Sequence, residues 1–325
     1  MRTRVISSFL FFLVFCLLLL TGCGQGSGST STSPTNTTAL DAYGKPIVFP
    51  TTAPQRIISL VPSMSEVLGA LQLQSRVVAV DYNTDYPADI AALPKISDAN
   101  ATYNTEQIVA LKPDLVLSTG GLTKTEDAQL VGLGLHVVDL PATNLSQSLQ
   151  QIVLVGRLTF TESAGKTLQQ QLQQQADQIK AKVAGTPAPK VLLEADDSEA
   201  GKPYVFGGGS FGDELLQDAS ATNIFHNQTS GGGYPQVTDE AIISANPQYV
   251  ILTEDPKYGG NPQGVYQRPN WDSIDGVKMH HVYHLNTDIM QRPGPRLVQG
   301  LQCVAQLLHP DKFTGTLPDY CEATV

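Results

Sequence analysis

Two stretches of the chain, offset by 134 residues, carry nearly the same pattern. The first runs Thr-Glu-Gln-Ile-Val-Ala-Leu-Lys-Pro-Asp-Leu-Val-Leu from Thr105 to Leu117. The second runs Asp-Glu-Ala-Ile-Ile-Ser-Ala-Asn-Pro-Gln-Tyr-Val-Ile from Asp239 to Ile251. Glu106 aligns with Glu240, Ile108 with Ile242, Pro113 with Pro247 and Val116 with Val250. Each copy opens on acidic residues, which favour a helix N-terminus. Each then stops before a proline and passes into an apolar run that reads as a buried strand. One repeat at so wide an interval is not a solenoid, whose periods are about 20–50 residues. It predicts two lobes of similar build.

The N-terminus reads as a targeting segment. Arg2 and Arg4 precede the apolar run Val5–Leu20, which is shorter than the ~20 residues of a membrane-spanning helix and ends in small residues. Leu20-Thr21-Gly22-Cys23 resembles a bacterial lipobox, in which the chain is cut before the cysteine and its thiol is acylated. Residues 1–22 are therefore expected to be a lipoprotein signal and Cys23 the lipid-bearing end. Residues 23–39 are mostly Gly, Ser, Thr, Asn, Pro and Gln, a composition that buries too little apolar surface to order itself and reads as a tether.

The body beyond Leu40 is long enough for two domains of ~100–200 residues. A net charge of −10 argues against a nucleic-acid partner, which calls for a basic surface. Strand and helix patterns alternate through both halves, indicating α/β lobes with mostly parallel sheets. Strands are expected at Arg56–Val61, Val77–Val80, Leu115–Leu117 and Leu135–Leu140 in the first lobe (40–158). In the second lobe (186–325) they are expected at Lys190–Glu194, within the repeat copy, and at Val282–Leu285. Between them Ser163–Ala184 has helical apolar spacing, so residues 159–185 are expected to hold one long connecting helix. Ser63 with Glu66 fits a capping box. Cys303 and Cys321 remain for an oxidising exterior, either as one disulfide closing the C-terminal tail or as two unpaired thiols.

Several segments carry a family resemblance. They are Arg56-Ile-Ile-Ser-Leu-Val-Pro-Ser-Met-Ser-Glu-Val-Leu, Asp85-Tyr-Pro, the first repeat from Glu106, Asn223-Ile-Phe and Pro293-Gly-Pro-Arg. Together they resemble the periplasmic-binding-protein family, the substrate-binding subunits of ABC importers for cobalamin, ferric siderophores and haem. The loops Tyr82–Pro87 and Tyr234-Pro235-Gln236-Val237 are most similar to the cobalamin-type members. The resemblance implies two Rossmann-like lobes joined by one long helix, a ligand cleft between them, and a non-enzymatic role. It further implies a monomeric protein, lipid-anchored outside the cell membrane, serving a permease dimer with its ATPase subunits. The resemblance makes Glu106 and Glu240 the permease contacts. Two equivalent carboxylates also give a two-point address for a symmetric basic partner. The alternative is that each simply sits favourably in a first helical turn.

Ligand contacts are expected on loops at strand ends. In the first lobe these are Ser63, Tyr82, Asn83, Tyr86, Tyr103 and Gly120. In the second they are Phe206, Ser210, Phe211, Tyr234, Asp288 and Arg292. Tyr82, Tyr103, Phe206 and Tyr234 offer flat walls for a large planar corrinoid or ferric complex. Gly120-Gly121 and Gly207–Gly209 allow close backbone approach. Arg292 and Arg268 are the only arginines placed for an anionic siderophore. His280, His281 and His284 raise a zinc or manganese importer as an alternative, with a polar strand edge as the plainer reading. Signalling by a ligand-binding surface lipoprotein is a further alternative. The chain lacks a Gly-x-Gly-x-x-Gly fingerprint, a phosphate loop and a nucleophile elbow, so no catalytic residue or cofactor is assigned.

Overall fold

The computed structural model describes residues 39–322. The expected signal segment, the lipid site at Cys23 and the tether up to residue 38 lie outside them. The first lobe is built on a parallel sheet of β1 (Ile57–Ser59), β2 (Val77–Val80), β3 (Leu115–Thr119) and β4 (Val137–Leu140), in the order β2-β1-β3-β4. The second is built on β5 (Lys190–Asp196), β6 (Tyr204–Val205), β7 (Thr222–Asn223), β8 (Tyr249–Leu252) and β9 (Val282–His284). Its order is β6-β5-β8-β9, with β7 also paired to β5 and only β6 antiparallel. The short β6 and β7 have no apolar alternation of their own, and the sequence pattern did not reveal them.

Both central strands are buried on two faces, as parallel strands under helices must be. Alternate residues serve different cores. Ile57, Leu115 and Leu117 join one cluster, while Ile58 and Val116 join another on the opposite face of the sheet. Ile251 and Val250 divide in the same way in the second lobe. The repeat occupies matching places. Helix α2 (Thr105–Ala110) leads into β3, and a second helix, Asp239–Ala245, leads into β8; Ile108 and Ile242 are fully buried. The chain is thus a two-lobed α/β fold.

The lobes are joined by a helical hairpin. Helix α3 (Lys124–Gly132) and β4 are followed by α4 (Leu145–Thr159) and α5 (Glu162–Val183). The long α5 falls within the stretch whose spacing predicts it. The buried α4 beside it is an additional link. It starts at the second lobe, where the Leu145 amide donates to Glu214, and ends at the first, where Arg76 donates to the Thr159 carbonyl at 2.9 Å. Phe160 turns the chain in a left-handed conformation, and α5 then runs back to the second lobe. The two helices lie so close that a Cβ on Gly165 would stand 2.9 Å from the Ile152 carbonyl oxygen. The remaining helices that matter for the site are α6 (Phe211–Asp218), α7 (the repeat helix, Asp239–Ala245), α8 (Thr287–Gln291) and α9 (Leu297–Leu308). Cys303 of α9 is bonded to Cys321 of the tail, with an S–S distance of 2.03 Å.

Helix α1 (Pro62–Ala70) departs from the capping box read at Ser63 and Glu66. The helix begins at Pro62, its N-cap Val61 has no side-chain cap, and Ser63 and Glu66 are buried. Proline at the first position has no N–H needing a cap. That releases Glu66 to face the other lobe.

The segment at the start of the body is stapled to the edge of the first sheet. The Ala42 amide donates to the Asp139 carbonyl at 2.8 Å. The Tyr43 hydroxyl lies 2.7 Å from Asp127 and 3.1 Å from Asp139. Burial and the neighbouring Asp127 push the Asp139 carboxyl up to about 7. The sign follows from proton binding. Between the ordinary carboxylate value and about 7 the folded chain holds a proton that the unfolded chain has released, so stability declines as pH rises through that window. Asp139→Asn removes the titration while keeping an acceptor for Gly121. In urea unfolding at pH 5 and pH 8, the loss of stability between the two should be smaller in the variant by on the order of 2 kcal/mol. Gly165→Ala tests the hairpin. Helix propensity favours alanine by about 1 kcal/mol. The contact with the Ile152 carbonyl should outweigh it and leave the variant about 1–2 kcal/mol less stable in the same assay.

Candidate functional site

The C-terminal ends of the parallel strands carry loops that meet between the lobes, where an open α/β sheet places its ligands. They enclose a cleft of about 270 Å³. The first lobe supplies Gly120 and Leu122 from the loop after β3, and Ala142 and Thr143 from the loop after β4. Gly120 and Gly121 both adopt φ near +70°, a region that glycine enters without a Cβ penalty, and this turns Leu122 outward with 72 % of its surface exposed. The second lobe supplies Phe206, Ser210, Phe211, Gly232, Tyr234, Gln291 and Pro293.

An aromatic wall forms one side. Phe206 lies 5.6 Å from Phe211 and 5.2 Å from Tyr234 between ring centroids, at tilted or edge-on angles, which suit the ring quadrupoles. Burial pushes the Tyr234 hydroxyl well above its ordinary range, so it stays protonated. Ser210 caps α6, accepting from the Asp213 amide and donating to the Gly207 carbonyl at 2.7 Å. On the floor, the Gln291 amide nitrogen donates to the carbonyls of Ala195 (2.9 Å) and Thr253 (3.0 Å). Among the described residues, no charged side chain lines the cleft.

The charges stand beside it. Arg292, one residue from Pro293 of the lining, meets Asp85 of the first lobe at 2.5 Å and Asp288 of its own lobe at 2.7 Å. Arg296 meets Glu66 at 2.6 Å and lies 4.5 Å over the Tyr86 ring. Burial acts to raise the Asp85 carboxyl, but the Arg292 guanidinium prevails and holds it below the usual range. For Glu66 burial prevails, and its carboxyl is raised despite Arg296 and Arg292. Two cations thus face three carboxyl groups, and the cluster ties the lobes together.

Of the twelve residues expected at the ligand, the structure gathers Gly120, Phe206, Ser210, Phe211 and Tyr234 around the cleft. Tyr82 and Tyr86 are half-exposed on the loop that carries Asp85, and the Asn83 carbonyl accepts from Arg292 at 3.4 Å. The other four are engaged within the protein. Ser63 is buried beside Gly294. The Tyr103 hydroxyl donates to the Leu60 carbonyl, and its ring packs on the first-lobe core rather than forming a cleft wall. Asp288 and Arg292 belong to the ion cluster. Arg268 likewise is consumed, paired with buried Glu194 and with Asp197. Gly207 and Gly208 leave no room for a side chain, since a Cβ there would stand 2.2 and 1.9 Å from the carbonyl oxygens of Gln228 and His226. The sequence reading missed Leu122, Ala142, Thr143, Gly232, Gln291 and Pro293. Ala142 and Thr143 carry no chemical signal, and Gln291 was hidden beside the more conspicuous Arg292.

The three histidines do not converge. His284 is buried with Nε2 2.9 Å from the Glu254 carbonyl, His281 stacks on Tyr249 at 4.5 Å, and His280 leans on Tyr266. Among the described residues no group of three or more His, Cys, Asp or Glu side chains is arranged to hold a metal ion. Glu106 and Glu240 occupy matching positions in the first turns of α2 and α7, are both exposed, and form no ion pair among the described residues.

Comparison with known proteins gives one consistent result. The family described as "Periplasmic binding protein" matches residues 57–289. An uncharacterised ABC transporter substrate-binding lipoprotein of Bacillus subtilis, YvrC, is 33 % identical over 267 residues, covering 80 % of this chain and 82 % of the relative. The crystal structure of the periplasmic vitamin B12-binding protein of Vibrio cholerae superposes with a TM-score of 0.68 at 25 % identity, covering 79 % of this chain and 97 % of that one. A periplasmic haem-binding protein of Pseudomonas aeruginosa gives 0.68 at 26 %, covering 82 % and 96 %. The chain belongs to the periplasmic binding protein family and is an extracytoplasmic, non-enzymatic substrate-binding protein of an ABC importer.

Proposed function

We propose that the protein captures cobalamin, or a closely related corrinoid, and delivers it to its importer. The observation that carries this reading is the neutrality of the cleft. Its walls are aromatic rings, glycines and a fixed amide, and both nearby arginines are occupied by Glu66, Asp85 and Asp288. A corrinoid presents apolar faces and a rim of neutral amides, which suit such a lining. An anionic ferric siderophore, or the carboxylates of haem, would call for free arginines. The similarity to the vitamin B12-binding protein of Vibrio cholerae supports the same ligand. The enclosed volume holds only part of so large a molecule. The half-exposed Tyr82 and Tyr86 and the exposed Leu122 extend the contact surface at the mouth. Of the expected ligand residues, Gly120, Phe206, Ser210, Phe211, Tyr234, Tyr82, Asn83 and Tyr86 are the ones assigned to binding.

Anchoring through a lipid on Cys23 and docking through Glu106 and Glu240 complete the proposal. The lipobox supports the first. The matched, exposed carboxylates on the two lobes, which form no ion pair among the described residues, support the second, because a two-point acidic address suits a basic two-fold permease surface.

Parallel calorimetric titrations with cyanocobalamin, a ferric hydroxamate, a ferric catecholate and haem test the ligand. Cyanocobalamin should bind at least about ten-fold more tightly than the others, a gap of about 1.4 kcal/mol. Tight binding of a ferric siderophore without binding of cobalamin would sink the reading. For docking, Glu106→Lys combined with Glu240→Lys should abolish importer-dependent uptake while leaving ligand affinity within about two-fold, since neither residue lines the cleft. Unchanged uptake would refute the assignment.

A further inference from the structure

A cavity larger than the inter-lobe cleft stands apart from it. It lies on the outside of the first lobe, between the segment 41–48, helix α3 and the edge strand β4, and has a volume of about 770 Å³. That is within the ~300–1,000 Å³ typical of small-molecule sites. Its walls are largely apolar. Ile47 is buried, whereas Val48 and Val131 stand 71 % and 56 % exposed on its sides. Exposed aliphatic side chains that gather on one concave surface are the kind of patch that marks a binding site.

The polar groups around it divide into those already used and those not. Asp41 accepts the amides of Tyr43 and Lys45. Asp127 accepts from the Tyr43 and Thr123 hydroxyls, and Asp139 accepts from the Gly121 amide. These three carboxyl groups are therefore engaged within the protein. The unspent groups are Lys45 and Lys124, which form no ion pair among the described residues. The edge strand adds another donor. The carbonyls of His136 and Leu140 are taken by β3, so Val137 between them directs its backbone N–H outward, as alternation along a parallel strand requires. Two ammonium groups and an edge amide around an apolar hollow are complementary to one kind of occupant.

We propose that this cavity is a second binding site, for a small amphipathic anion: an acyl chain in the apolar hollow with its carboxylate or phosphate head between Lys45 and Lys124. The proposal is independent of the ligand assigned to the inter-lobe cleft. The two hollows share no lining residue and lie on opposite sides of the loop 120–122, since Gly120 and Leu122 face the cleft while the Gly121 amide is held by Asp139 of the outer cavity. The concave form suits a single chain from solution rather than a flat lipid surface.

Calorimetric titration of the full chain with decanoate, below its self-association concentration, tests the site. Saturable one-to-one binding is expected, accompanied by a shift of the His136 ring resonances. Decylamine, with the same chain and the opposite charge, should bind at least about ten-fold more weakly. Lys45→Glu combined with Lys124→Glu should weaken decanoate at least about ten-fold, with an unchanged urea midpoint, because it replaces both charge-assisted contacts. Phe211→Ala, in the inter-lobe cleft, should leave decanoate binding unaltered. Equal or tighter binding of decylamine overturns the proposal, as does undiminished affinity in the double-lysine variant or the absence of saturable binding. Sedimentation of the protein with phosphatidylglycerol vesicles, with no heat from monomeric decanoate, would also overturn it and identify a membrane-contacting patch instead.

Discussion

The relation between the two lobes depends on a buried side-chain amide. Gln151, fully enclosed in the middle of α4, accepts from the Thr119 hydroxyl at the end of β3 and donates to the Pro293 carbonyl of the other lobe. A buried amide left without partners would cost about 1–3 kcal/mol, so both lobes must stay in register with the helix that carries it. Around this contact the segment 292–296 makes its ion pairs to the first lobe, with Asp85 and Glu66. The cleft opens on the same segment, through Pro293. What aligns the lobes and what shapes the binding surface are thus the same few residues.

The hairpin explains why so small a set suffices. A single helical link would leave the lobes free to twist about it. Here α4 and α5 lie side by side at glycine-limited distance, with α9 against α5, and one apolar cluster runs through all three into both sheets. Relative motion of the lobes therefore has to disturb a shared core, which is close-packed and resists it. Such a scaffold fits a protein that clasps its ligand with a small movement. The ion cluster supplies the part that can yield, since Asp85 is more than half exposed and its pairing with Arg292 is accessible to water and salt.

Much of this was legible in the sequence because it rests on periodicity and on short-range chemistry. The strand Val77–Val80 and the long helix follow from apolar spacing. The two-lobe plan follows from the repeat, since the same helix start, proline stop and buried strand recur where each sheet needs its centre. The site was only half legible. Phe206, Phe211 and Tyr234 declare themselves as aromatic residues on strand-end loops, but Tyr103 looks the same in sequence and is turned into its lobe by one hydrogen bond to Leu60. Arg292 and Asp288 suggested ligand contacts because nothing in their neighbourhood shows that Asp85, about 200 residues away, would meet them. Glu66 misled in the opposite direction, since a local capping pattern concealed a long-range partner in Arg296. Side chains whose partners are distant in sequence are those for which local pattern has least to say.

The bond between Cys303 and Cys321 does more than fasten the tail. The Cys321 carbonyl accepts from the Asn286 amide at 2.8 Å, and the Asn286 side chain caps α8, whose last residue is Gln291 on the cleft floor. The covalent link, the cap and the floor form one mechanical series. A disulfide is stable only on the oxidising side of the membrane. A chain retained in the reducing interior would lack this brace behind the cleft floor.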